Sequence, residues 1–172
     1  MIRLAKVCDI EGVMNCINDA KNLFKKDNSD QWQDLDNYPN ENTMLSDINN
    51  NELYVYEVNN IILGCIVLSN KNEVCYDNMT VGSWLTNGKY MVIHRLAINK
   101  DYYRRGIASE LIKHTIDIAK NNNAVSIKVD TKKENIRMQN LLYKCNFKKV
   151  GIIYLLRTDV LDKERVAFEL VL

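Results

Sequence analysis

The 172-residue sequence has a single proline, Pro39, and no Gly/Ser-rich or Pro-rich stretch. Nothing in it marks a linker, so residues 1–172 are read as one domain, a length that supports a sizeable core. Glycine is scarce, six residues in all, and neither the three-glycine dinucleotide turn nor a G-K-[ST] P-loop ending occurs. The five cysteines (Cys8, Cys16, Cys65, Cys75, Cys145) are scattered and never form a C-x-x-C pair, so no metal site and no disulfide framework is expected. No apolar run approaches a bilayer span, and the opening "MIRLAKVCDIEG" has acidic residues and no apolar signal core; a cytoplasmic protein without a membrane partner is expected. Charge of one sign is lacking too. With 23 basic and 22 acidic residues the net charge is +1, which argues against a nucleic-acid partner and leaves small anions as the ones to be bound.

What remains is 47% apolar and 26% charged, the composition of a globular domain. "IRLAKV" reads as a first strand. Asp9 is placed to cap a helix whose apolar residues Ile10, Val13, Met14, Ile17, Ala20 and Phe24 recur at helical spacing. A short helix follows Pro39 through Met44, Leu45 and Ile48. "ELYVYEV" and "IILGCIVL" flank Asn59-Asn60, a two-residue hairpin turn. "YMVIHRLAI" is apolar on both alternating faces except at His94 and Arg95, as in a central strand. From Ala108 the set Leu111, Ile112, Thr115, Ile116, Ala119 marks an amphipathic helix. "AVSIKVD" is a strand, Asn135 to Cys145 a helix with Met138, Leu141 and Leu142 inward, and "GIIYLLR" and "RVAFELVL" are two last strands. This order predicts an α/β fold, a mixed sheet with helices on both faces.

The stretch "INKDYYRRGIASELIKH" (98–114) places arginines and a glycine directly before a helix. The first amides of a helix lack internal partners and carry the positive end of its dipole, so they hydrogen-bond anions. Gly106 lets backbone approach the anion, Ala108 keeps the next position small, and Arg104 and Arg105 add charge. A pyrophosphate-bearing cofactor is the expected ligand.

At these residues the sequence resembles the GCN5-related N-acetyltransferase (GNAT) family, whose signature is [QR]-x-x-G-x-[GA]. "YRRGIA" matches at Gly106 and Ala108 and has Tyr103 at the first position. "HRLAI" is similar to the family's fourth strand, "DTKKEN" to the segment after the fifth, and "LLYKCNFKKVGI" to its L-Y-x-x-x-G-F segment, with Asn146 in place of glycine. The resemblance implies the GNAT fold over the whole chain and acetyl-CoA as acyl donor. It implies cofactor contacts from the backbone of Leu96, Ala97 and Ile98, from Arg104, Arg105, Gly106, Ile107, Ala108 and Ser109, and from Asn135.

Acyl transfer to an amine needs a base, an oxyanion partner and an acid for the thiolate. By the resemblance, His94 is the candidate base, because one family member carries a histidine there; the alternative is a core histidine satisfied by a neighbour. Arg95 falls on the opposite face of a regular strand and is expected to form a structural ion pair. The family's acid is usually a tyrosine five residues before the phenylalanine of the G-F pair, which here is Leu142. Tyr143 lies one residue later, about a quarter turn around the helix, and is the remaining candidate. "NSDQWQDLDNYPN" (28–40) offers Trp32 and Tyr38 with Asp30, Asp34 and Asp36 for a cationic amine, and the long connection 72–90 offers Trp84. In both, the alternative is that the tryptophan pins a long connection to the core and the acids are solvated. The expected activity is direct acetyl transfer to a primary amine of a small molecule. The alternatives are a protein or peptide amine, and a non-catalytic acyl-CoA sensor. Members of the family often form dimers through their last strands, so "RVAFELVL" is expected either to build a homodimer or to complete its own sheet.

Overall fold

The computed structural model describes residues 1–33, 37–156 and 163–172. Strand β1 (Ile2–Leu4) leads through a one-turn 3-10 helix, Val7–Asp9, into helix α1 (Ile10–Lys26). Asp9 occupies the N-cap position of α1, but its side chain does not cap that helix. Instead it accepts from the Lys6 N–H at 2.7 Å and from both terminal nitrogens of Arg3 at 2.7 and 2.9 Å. The carboxylate therefore closes the preceding turn, because Arg3 on β1 draws it back. Helix α1 buries Val13, Ile17 and Ala20, the stripe its spacing predicts.

Helix α2 (Glu41–Asn49) starts where Asn40 Oδ1 accepts from the Thr43 N–H at 3.0 Å, which satisfies one orphan donor of the first turn. Strands β2 (Leu53–Val58) and β3 (Ile61–Ser69) form the expected hairpin. Its turn residues Asn59 and Asn60 have φ of 50° and 62°, the left-handed pair a type I′ turn requires. The connection 72–90 is not a plain loop: it holds a 3-10 turn, Val74–Tyr76, and a two-residue strand β4 (Val81–Gly82). Then come β5 (Tyr90–Ile98), α3 (Ile107–Asn121), β6 (Ser126–Thr131), α4 (Ile136–Lys144), β7 (Lys148–Tyr154) and β8 (Glu164–Val171). Among the described residues no helix is long and apolar enough to cross a membrane.

The chain forms two compact units. One comprises Met1–Leu68 and His94–His114. In it β1, β2 and β3 run antiparallel, and the Asn99 N–H donates to Leu63 O at 2.9 Å, keeping the end of β5 beside β3. Val13 and Ile17 of α1, Met44 of α2, Leu53, Val55, Cys65, Val67 and Ala97 share its core. Gly64, one residue out of phase with Cys65, faces the other way: a Cβ there would meet Ile98 at 2.6 Å and Leu111 of α3 at 3.2 Å. Both faces of β3 are covered, which is why it reads as an almost unbroken apolar run.

The second unit comprises Ser69–Ile93 and Thr115–Leu172. There β5 pairs parallel with β6 from Tyr90 opposite Ser126 to Val92 opposite Lys128, β6 and β7 both pair antiparallel with β8, and β4 pairs with β7. The eight strands follow the order β1-β2-β3-β5-β6-β8-β7-β4, the mixed α/β sheet the sequence predicts. Strand β8 lies between β6 and β7, so "RVAFELVL" completes the chain's own sheet.

Candidate active site

The site is built where β5 gives way to α3. The parallel ladder with β6 stops at Val92 although β5 runs on to Ile98. Within that stretch Arg95 has φ 48°, a left-handed residue in the middle of a strand, which makes a bulge and breaks the alternation of faces. Leu96 and Ile98 are half-buried and Ala97 is buried. Beyond the strand, Asn99 accepts from the Asp101 N–H at 3.1 Å to shape a 3-10 turn, Lys100–Tyr102. Asp19 of α1 accepts from the Lys100 N–H at 2.9 Å and fixes that turn to the helix.

The next residues form a cradle. Arg104 and Gly106 have φ of 62° and 82°, and Gly106 O accepts from the Glu110 N–H at 3.1 Å to open α3. Alternating left-handed residues turn successive N–H groups toward one side, and the amides of Ile107, Ala108 and Ser109 have no intrahelical acceptor. A Cβ on Gly106 would meet nothing within 4 Å, so the space before the helix is open and glycine is needed for its φ. Arg104 and Arg105 are exposed, with the Arg105 guanidinium 5.1 Å from the Tyr102 ring centre. Backbone donors at a helix start, two exposed arginines and open space beside Gly106 are features that hold anions. Tyr103, the residue that departs from the family signature, is half-buried beside Asp19 and Cys16 of α1, and burial raises its hydroxyl's pKa.

His94 is half-buried just before the bulge. The ion pair expected of Arg95 is present: its Nε and Nη2 donate to Asp47 Oδ2 and Oδ1 at 2.7 and 2.9 Å, and its Nη1 donates to the Tyr38 hydroxyl at 2.7 Å. Asp47, on α2, is buried; burial pushes its carboxyl above the usual range, against the pull of Arg95. Lys21 Nζ donates to Asn37 O and Oδ1 at 2.5 and 2.9 Å, holding the same loop. Trp32 packs edge-on against Phe24, 5.3 Å between centres, at the border of the α1–α2 core. Asp34 and Asp36 lie outside the described residues. Burial pushes the Cys16 thiol up to about 12, so it carries no thiolate at neutral pH.

The second unit holds the other residues named from the sequence. Asn135 Oδ1 accepts from the Met138 N–H at 3.1 Å and caps α4. Leu142 is fully buried, whereas Tyr143 is half exposed with its ring 5.3 Å from Phe168. Trp84 donates from Nε1 to Tyr76 O at 2.8 Å, and the Lys128 ammonium lies 4.3 Å from the Trp84 ring centre and 3.8 Å from that of Tyr90. Sequence reasoning missed this cage; the signal was a lysine inside the apolar strand "SIKVD". It also missed the fully buried Glu169, which accepts from the Leu85 N–H at 2.5 Å and the Thr86 hydroxyl at 2.6 Å. Thr131, buried at the end of β6, has a hydroxyl with no partner among the described residues.

Residues 17–147 match the model of the acetyltransferase (GNAT) family. The chain belongs to that family. It is accordingly an acetyltransferase of the acyltransferase class. A GNAT-family acetyltransferase from Streptococcus agalactiae is 28% identical, with TM-score 0.88 over 100% of this chain and 95% of its own. A Staphylococcus aureus protein assigned as an acetyltransferase is 31% identical, with TM-score 0.74 over 99% of this chain and 98% of its own. A Bacillus anthracis protein assigned as a streptothricin acetyltransferase, solved with acetyl-CoA, shares the fold at 22% identity and TM-score 0.54, over 70% of this chain and 61% of its own. No curated protein matches this GNAT sequence.

Proposed function

We propose that this GNAT protein transfers the acetyl group of acetyl-CoA directly to a primary amine of a small molecule, with both substrates bound together in a single cytoplasmic domain. The observation that carries the reading is the cradle at Arg104–Gly106, opening onto the first amides of α3 immediately after a bulged strand. Acetyl-CoA supplies a thioester whose acyl carbon takes the amine nitrogen as the C–S bond breaks. The cradle holds the diphosphate, and the backbone of Leu96 to Ile98 lies along the acyl-bearing arm and offers an amide to the carbonyl oxygen. His94 takes the proton leaving the amine, directly or through water. Asn135 is a further cofactor contact. Tyr143 is the side-chain candidate to protonate the thiolate, since Leu142 fills the usual acid position; its half exposure leaves solvent as the competing donor. Tyr38, Trp32 and Trp84 are the candidate acceptor-side aromatics. No cysteine in a motif supports an acyl-enzyme, so transfer is direct.

Isothermal titration with acetyl-CoA, CoA and adenosine diphosphate, on wild type and on Gly106→Trp, tests the cradle. We expect wild type to bind all three and the indole to abolish binding. Folded wild type that binds none of them sinks the reading. Amines are then screened for CoA release, and with the best of them His94→Ala should flatten the neutral-pH limb of the rate profile. An unchanged profile removes His94 from the role of base.

A further inference from the structure

A left-handed residue other than glycine in mid-strand persists only where its surroundings hold it. Arg95 is held by its own side chain. Its planar fork grips both oxygens of a buried carboxylate on α2, and a further nitrogen reaches the Tyr38 hydroxyl. The Tyr38 segment is fixed from the other side as well, by Lys21 of α1 on Asn37. The residue that bends the strand is thus also the residue that anchors the loop.

We propose that Asp47, Arg95 and Tyr38 are positioning residues for acyl transfer: the carboxylate and the hydroxyl clamp the guanidinium, and the clamp holds the β5 bulge so that the backbone of Leu96 to Ile98 receives the acyl-bearing arm. This rests on the acetyl-transfer reading and adds to it a division of labour. The cradle at Gly106 binds the diphosphate without help from the clamp, whereas the arm depends on it. Lysine cannot replace Arg95, because a point charge cannot grip both oxygens of Asp47 and reach Tyr38. Asparagine at 47 keeps the shape and loses the charge and one acceptor.

The test compares two ligands that differ by the arm. Adenosine diphosphate and CoA are titrated into wild type, Asp47→Asn, Arg95→Lys and Tyr38→Phe. Affinity for adenosine diphosphate should stay within about twofold throughout, which also shows that each variant is folded. Affinity for CoA should fall about tenfold in Asp47→Asn and Arg95→Lys, the worth of one or two backbone hydrogen bonds to the arm, and less in Tyr38→Phe. Parallel loss for both ligands would mean general damage to the fold and overturn the proposal. Unchanged affinity for both would mean the bulge stands without the clamp, which overturns it too. Wild type that binds adenosine diphosphate but gains nothing from the arm would overturn the clamp and leave the cradle intact. Wild type that binds neither ligand overturns both readings.

Discussion

Asp9 shows how far one side chain can depart from the part its position suggests. It stands at the start of α1, yet Arg3 turns its carboxylate toward the preceding turn. The hydrogen bonds from Arg3 hold that carboxyl below the usual carboxylate range, more than burial raises it. A folded pKa below the unfolded value of about 3.9 gives stability that is fully present above the unfolded value and lost as pH falls through the folded one. Asp9→Asn should therefore cost about 1–3 kcal/mol at pH 7 and show a shallower loss of stability in acid. Urea titrations at pH 7 and pH 3 measure both; equal losses in the two proteins between those pH values would show that the Arg3 contact is inert. The Arg95 cluster had a different visibility. An ion pair at Arg95 was foreseeable from its place opposite His94, but its partners were not, being 48 and 57 residues away in sequence. Asp47 did leave a trace, an acid on the same helical side as Met44 and Ile48, all three buried.

Elements were far more legible than partners, because the forces that set them act over a few residues. The spacing of Val13, Ile17 and Ala20 is itself the buried stripe of α1, and Asn59-Asn60 is itself the turn, with the φ values its residue type tolerates. The cradle was legible for the same reason: glycine, arginines and helix start are contiguous. Strand β4 was not. Two residues carry no periodicity, and β4 exists only because Val81 and Gly82 lie opposite Ile152 and Gly151 of β7. There the backbones pass so closely that a Cβ on Gly151 would collide with the Val81 carbonyl, a constraint invisible until both strands are in place. Leu142 and Tyr143 illustrate a finer limit. The helix was foreseeable, and so was Leu142 facing inward, yet only the packed structure shows Tyr143 half exposed against Phe168.

For the whole molecule, β5 and α3 matter most. Strand β5 gives its first residues, through Ile93, to one unit and those from His94 to the other, and α3 divides between His114 and Thr115. Each unit therefore holds part of the same strand and part of the same helix. We expect a single cooperative unfolding transition, with calorimetric and van't Hoff enthalpies equal. Two separated transitions would show that the units melt on their own.

The two tryptophans give that question an optical form. Trp32 belongs to one unit, edge-on to Phe24, and Trp84 to the other, with a lysine ammonium over its ring and its indole N–H on a carbonyl. Their emission should differ in wavelength and yield, since one indole borders hydrocarbon and the other carries a cation on its face. Replacing either with phenylalanine leaves a native fluorophore reporting on one half of the chain alone, so that each half can be watched without a label.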